Sequence, residues 1–300
     1  MISNRKMKQT ASDRVFDAVN ITLIVMLTFI FFYPLYIVLI SSFSSAQAVN
    51  AGAVKIWPVN FSVQGFRYIF QYKDIWMGYR NTIFYTVFGT ALSVTMTLMA
   101  GYSLSRKDLK GRGIIMFYFV FTMYFGGGLI PTFLTVQRIG LVDKPYTLIF
   151  LGALGVSNLI ITRSFFMMTI PNELFEAASL DGCGDFRYFI RVALPLSGAL
   201  ISVLVLYYGL GNWNGFFSAL IYVRNRQYFP LQIFLRNILV MNQNISVDTG
   251  ASPEEMAQRL QYAETIRYGL IVVASFPVLA VYPYLQKYFV KGIMIGSLKG

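Results

Sequence analysis

Long uncharged runs, rather than short amphipathic stripes, set the pattern of this chain. Windows free of Asp, Glu, Lys and Arg fall at 18–43, 81–105, 114–136, 145–162, 197–223 and 268–286. A helix needs roughly 20 apolar residues to cross the hydrocarbon core of a bilayer. Each window therefore predicts one transmembrane helix, and together they predict an all-α polytopic membrane protein with about six spans. Pro34, Pro277 and Pro283 lie inside these windows, but membrane helices tolerate proline and glycine. The cluster Gly126, Gly127, Gly128 and Pro131 predicts a kink or an unwound stretch in the third span. The first apolar run, Phe16 to Phe43, is longer than the core of a cleaved signal and has no small-residue cleavage site, so it is expected to remain as an anchor.

Polar positions then orient the spans. An even number of spans places both termini on one side. The basic start of the chain (Arg5, Lys6, Lys8, Arg14) and the short loop Arg106 to Arg112, with four basic residues, mark that side as cytoplasmic. The expected organisation is a cytoplasmic amino-terminal segment over 1–15, a transmembrane domain over 16–290, and a cytoplasmic tail over 291–300. Two outer segments are long. Ser44 to Arg80 carries Trp57, Tyr68, Phe70 and Trp76, which suit interfacial anchors or a re-entrant piece. Val223 to Tyr262 contains Ser252-Pro253-Glu254-Glu255, the start signal of a short surface helix.

Composition agrees with a membrane protein. The chain is 56% hydrophobic and 13% charged, about half the charged share of a soluble domain. Its net charge of +12 does not point to nucleic acid, because the basic residues flank the apolar runs. Topology control and contact with anionic membrane lipid account for them. One cysteine, Cys183, and no histidine exclude disulfides, Cys/His metal sites and His-based nucleophilic catalysis. No catalytic set and no metal site are expected.

Between the fourth and fifth spans lies a polar loop over 171–196. Pro171 to Gly182 predicts a short helix: Pro171 suits a first turn, Glu173 and Glu176 suit its positive end, and Gly182 suits a left-handed cap. A second short helix over Asp185 to Ala193 then leads through Leu194-Pro195 into the fifth span. An ordinary helix lying on the membrane would carry lysines and bulky apolar residues. This one mixes acids with Ala177 and Ala178, a low-relief surface open to close approach by another protein.

The spacing of the loop has a counterpart. Glu176-Ala177-Ala178 is followed by three residues and Gly182, then nine residues, Val192, one residue and Leu194-Pro195. This resembles the coupling-loop signature of ABC importer permeases, with Val where Ile is commoner. Together with Asn212-Trp213-Asn214, Phe229-Pro230-Leu231-Gln232 and the tail from Tyr282, it resembles the carbohydrate-uptake branch of maltose-type inner-membrane permeases over nearly the full length. Within that branch it is most similar to permeases for complex oligosaccharides.

The resemblance implies a type I importer permease fold whose coupling helix docks on an ATPase subunit. Glu173, Glu176, Ala177, Ala178, Asp181, Gly182, Leu194 and Pro195 are expected at that contact, and Lys291, Gly296, Lys299 and Gly300 at a tail contact. It also implies a second homologous permease subunit, two cytoplasmic ABC ATPases, an extracytoplasmic solute-binding protein and a carbohydrate substrate. ATP and Mg are expected on the ATPase, with no cofactor in this chain.

Two features of the residues themselves agree. No Gly-x-x-x-x-Gly-Lys-Ser/Thr stretch occurs, so the chain has no P-loop. No charged residue falls inside a predicted span, with Arg163 expected at a cytoplasmic end, whereas ion-coupled carriers use buried charges. A permease for a non-sugar solute and an ion-coupled carrier are the alternatives. Tyr124, Asn158, Tyr207, Asn212, Trp213 and Asn214 offer the stacking and hydrogen bonding that sugars need, though the same residues suit helix packing and an interfacial belt. Arg224 and Arg226 offer attraction to an acidic sugar, or simply solvated loop charge.

Overall fold

A computed structural model describes residues 10–244 and 266–283. The described residues are helical, without strands. The helices are α1 (Ala11–Ser42), α2 (Ala46–Asn50), α3 (Gln64–Gln71), α4 (Lys73–Ser105), α5 (Arg112–Tyr124), α6 (Leu129–Arg138), α7 (Thr147–Phe150), α8 (Val156–Thr169), α9 (Asn172–Leu180), α10 (Asp185–Tyr188), α11 (Leu194–Leu196), α12 (Gly198–Asn214), α13 (Phe217–Tyr222), α14 (Leu231–Asn244) and α15 (Ile266–Pro283). A π-helical turn, Phe189–Ala193, joins α10 to α11. The region around Ser252 and the tail from Tyr284 to Gly300, including Lys291, Gly296, Lys299 and Gly300, lie outside the described residues.

Three of these helices, α1, α4 and α15, are long and apolar enough to cross a membrane singly. Two bent pairs add to these: α5 and α6, over the third window, meet at 116°, and the α10–α11 segment, which precedes the fifth window, meets α12 at 82°. The first bend falls where Gly126 to Pro131 predicts one, and Gly128 takes φ +83° there. The window 145–162 is covered by two helices, not one. Gly152 adopts φ +80°, α8 begins only at Val156, and it runs on through Arg163 to Thr169. The fifth window is likewise interrupted after Asn214.

The described residues divide into two compact units, 10–71 with 238–244 and 266–274, and 72–237 with 275–283. In the first, α1 is capped by Thr10, whose hydroxyl accepts the Asp13 N–H while the Asp13 carboxylate accepts the Thr10 N–H. Most of its length is uncovered (Phe29 70% and Phe31 71% exposed), a surface suited to lipid. Its end packs into a small core of Ile40, Ala48 and Val54, with Phe43 stacked on Phe61 and tilted against Phe66. The long segment after Ser44 is thus ordered as α2, α3 and the first turns of α4.

The second unit is built around α4, which packs along α8 and α12. Its glycines allow close approach, as small residues do between membrane helices. A Cβ on Gly101 would lie 2.4 Å from the Thr162 methyl, and one on Gly89 would lie 3.0 Å from the Asn212 amide. The core beneath the 171–196 loop joins Val94, Leu98 and Tyr102 of α4 to Phe166, Tyr188, Phe189, Ala193, Leu200, Leu204 and Tyr208.

Candidate coupling site

The 171–196 loop forms a short helix with one pinned face and one open face. Pro171 sits one residue before α9, extended at φ −62° and ψ 142°, and Glu173 occupies the first turn. The helix ends as its sequence predicts. Gly182 takes φ +76°, and the N–H groups of Asp181, Gly182 and Cys183 return to the carbonyls of Ala177, Ser179 and Ala178 at 3.2, 3.0 and 2.9 Å. Satisfying those end carbonyls with a left-handed glycine is a common helix terminator.

Phe175 and Ala178 turn inward and pack, with Cys183, Val192 and Leu194, against the core. Glu173, Leu174, Glu176, Ala177, Ser179, Leu180, Asp181, Gly182 and Pro195 are exposed. The structure therefore divides the expected contact set: Glu173, Glu176, Ala177, Asp181, Gly182 and Pro195 lie on the open side, while Ala178 and Leu194 serve the packing beneath. Three apolar side chains escaped the sequence analysis, namely Leu174, Leu180 (90% exposed) and Phe186 (67% exposed). The sequence carried no local signal for them, since it is the structure that gives the inward face to Phe175 and Ala178.

The helix stands on a rigid base. Tyr188 and Ala193 are 1% and 0% exposed, and the Ser197 hydroxyl donates to the Ala193 carbonyl at 2.7 Å, closing the bend into α12.

Arg163 reaches the last turn of α4, beside the 106–112 loop. It lies midway along α8, half-buried, and its Nε donates to the Leu104 carbonyl at 3.1 Å. Leu104 belongs to the last turn of α4, whose carbonyls lack helical partners. A guanidinium there satisfies one carbonyl and meets the negative end of the helix dipole.

The six candidate substrate residues occupy different settings. Tyr124 ends α5 at 74% exposure and Tyr207 faces outward from α12 at 53%. Asn158 is half-buried near the start of α8, and Asn214 is exposed at the end of α12. Asn212 donates to the Thr90 hydroxyl at 3.3 Å, and Trp213, 7% exposed, lies 6.2 Å from the Tyr79 ring. These last two belong to the contact of α12 with α4. The same contact contains a pair not anticipated, Thr97 and Tyr208 with hydroxyls 2.7 Å apart, and Tyr208 accepts the Gly155 N–H at 3.0 Å.

At the opposite end of α4, Asn81 donates to the carbonyls of Gln227 and Phe229, Tyr85 donates to that of Tyr228, and Thr82 accepts the Leu231 N–H. Arg226 is ion-paired with Asp74. The Asp143 carboxylate accepts the N–H groups of Asn225 and Arg224 at 2.7 and 2.9 Å, and these bonds hold it below the usual carboxylate range.

These helices form a polytopic membrane body that carries one short helix pinned on one face and open on the other. No protein-family model matches the chain. Curated relatives do. The chain is 38% identical over 96% of its length to the polygalacturonan/rhamnogalacturonan transport system permease protein YtcP of Bacillus subtilis, of which it covers 99%. It is 36% identical to protein LplC of the same organism, with 98% of each chain covered. Among solved structures, a bacterial ABC transporter involved in the import of the acidic polysaccharide alginate matches at a TM-score of 0.83 and 32% identity, over 95% of this chain and 100% of that one. The chain belongs to the permease subunits of ABC importers and is a multi-pass membrane protein.

Proposed function

We propose that this chain forms half of the pore of an ATP-driven importer for an acidic oligosaccharide. The observation that carries the coupling role is α9, whose inner face is fixed by Phe175 and Ala178 while Glu176, Ala177 and Leu180 stand uncovered. Two cytoplasmic ABC ATPases, hydrolysing ATP with Mg, would seat this face, and a homologous permease, favoured as a paralogue, would complete the pore. An extracytoplasmic binding protein would deliver the cargo, and both termini would lie in the cytoplasm, with the tail from Lys291 beside the ATPases. Support for an acidic cargo comes from the relatives: polygalacturonan and alginate are both uronate polymers. Arg224 and Arg226 add little to that, since Arg226 is committed to Asp74.

An ion-coupled carrier is disfavoured by the chemistry of Arg163. Its guanidinium is engaged with the Leu104 carbonyl, and the six uncharged windows hold no Asp, Glu or Lys to bind a coupling ion.

Glu176→Lys and Gly182→Asp test the coupling role. Both residues are exposed, and a side chain at Gly182 is strained by the left-handed backbone, not by crowding. Both variants are expected to insert normally and to lose ATPase co-purification or cargo-stimulated ATP hydrolysis. Full stimulation in a stable mutant complex would overturn the assignment. Uptake of oligogalacturonates by the reconstituted complex, insensitive to an ionophore, tests the cargo.

A further inference from the structure

We propose that Arg106 is a positioning residue for coupling: it clamps α9 to the end of α4 through the Phe175 ring, so that the two move as one body. This rests on α9 being the coupling helix.

The guanidinium of Arg106 lies 3.4 Å from the centroid of Phe175. The other contacts of that ring continue the clamp inward. Phe175 meets Tyr188 edge-on at 5.2 Å and 87°, and Tyr188 lies 6.4 Å from Tyr102, which is also edge-on to Phe166 at 5.5 Å. The column therefore runs from the α4–α5 turn across α9 to the interior of α4 and α8. Arg106 is itself held in place. Its Nε and Nη2 donate to Asp108 at 3.0 and 3.2 Å, and Arg112 donates to its carbonyl at 3.1 Å. Its side chain is 16% exposed, the partly desolvated condition in which a cation over a ring is held most firmly. No other cation lies over the Phe175 ring among the described residues. Without Arg106, α9 would keep its apolar footing on Tyr188 but lose its tie to the α4–α5 turn.

Cys183, the chain's single cysteine, is half-buried where α9 meets the core, and its maleimide labelling rate reports how often α9 lifts. In the purified complex, read by the mass of this chain, Arg106→Ala and Phe175→Leu are each expected to label about five- to tenfold faster than wild type. The double variant should label no faster than Phe175→Leu alone, and Arg106→Lys, which keeps the charge but neither the planar stack nor the two-pronged bond to Asp108, should fall between wild type and Arg106→Ala. In vesicles, cargo moved per ATP hydrolysed should fall in both single variants while the ATPases still co-purify. Wild-type labelling in Arg106→Ala, multiplying effects in the double variant, or failure of both single variants to insert would overturn the clamp. A wild-type chain that purifies without any ATPase would sink the coupling role instead, and the labelling rates would still judge the clamp.

Discussion

The two ends of α4 are held by different chemistry. At the Lys73 end, side chains bond to backbone: Asn81, Thr82 and Tyr85 secure the segment from Gln227 to Leu231, and Asp74 pairs with Arg226. At the Ser105 end the ties are aromatic and steric, with Tyr102 among Phe166, Tyr188 and Phe189 and with Gly101 against Thr162. Directional bonds to a backbone hold one register. Packed rings and glycine contacts fix position by shape, and three hydroxyls there, on Tyr102, Thr162 and Tyr188, are buried without a hydrogen-bond partner. The first end is therefore a rim held by directional bonds, and the second a packed joint that, with the Arg106 clamp, ties α9 to α4.

The largest effect expected from breaking this contrast is at the joint. Gly101→Val would drive a branched side chain into Thr162, where even a Cβ sits 2.4 Å from a methyl carbon. Overpacking of this kind costs about 1–3 kcal/mol, or more where backbone must shift. Detergent-solubilised protein is expected to show a clearly lowered melting temperature by thermal size-exclusion analysis. An unchanged melting temperature would mean that α4 and α8 are not in close contact there.

At the rim the expected loss is smaller. Thr82 is fully buried, and its hydroxyl accepts the N–H of Leu231, also fully buried, at 2.8 Å. Thr82→Val keeps the shape and strands the donor, at a cost of about 1–3 kcal/mol. Thr82→Ser restores the acceptor and should recover most of the melting temperature. If Val and Ser behave alike, the bond contributes nothing and the rim is held by packing alone.

These two ends also show where the sequence was legible. Hydropathy located the long apolar helices α1, α4 and α15 because lipid exposure leaves a long uncharged run, as along α1. It misplaced the start of α4 by eight residues, since Lys73, Asp74 and Arg80 interrupt the run but sit on the rim, where charge is tolerated. It stopped α8 at Arg163, because nothing local reveals that a carbonyl 59 residues away in the chain will accept that guanidinium. The 171–196 loop was read from its spacing, and its Gly182 cap and second short helix follow as expected. Which alanine faces in was not legible, because the pocket for Phe175 and Ala178 is made by Arg106, Tyr188 and the core of α4 and α8. Asn212 and Trp213 were ambiguous for the same reason, and their partners on α4 place them in helix packing.

The smallest effect expected is at the far side of the rim, and it depends on pH. Asp143 is charged in the bonds it accepts from Asn225 and then Arg224, which lower its pKa in the folded protein. The sign follows from linkage. A carboxyl whose folded pKa lies below its unfolded value adds stability above the unfolded value and loses it as pH falls through the folded one. Acidification should therefore release the 224–225 turn, and Asp143→Asn should remove that component of the acid sensitivity while leaving neutral-pH stability slightly lower. The carboxylate is close to solvent, so the shift in melting temperature with pH should be small and largely independent of changes at Gly101. Hydrogen exchange at the Asn225 amide, faster below the carboxyl's folded pKa in wild type and pH-insensitive in Asp143→Asn after correction for intrinsic rates, would resolve it. Equal pH dependence in both proteins would show that the rim does not draw on this carboxylate.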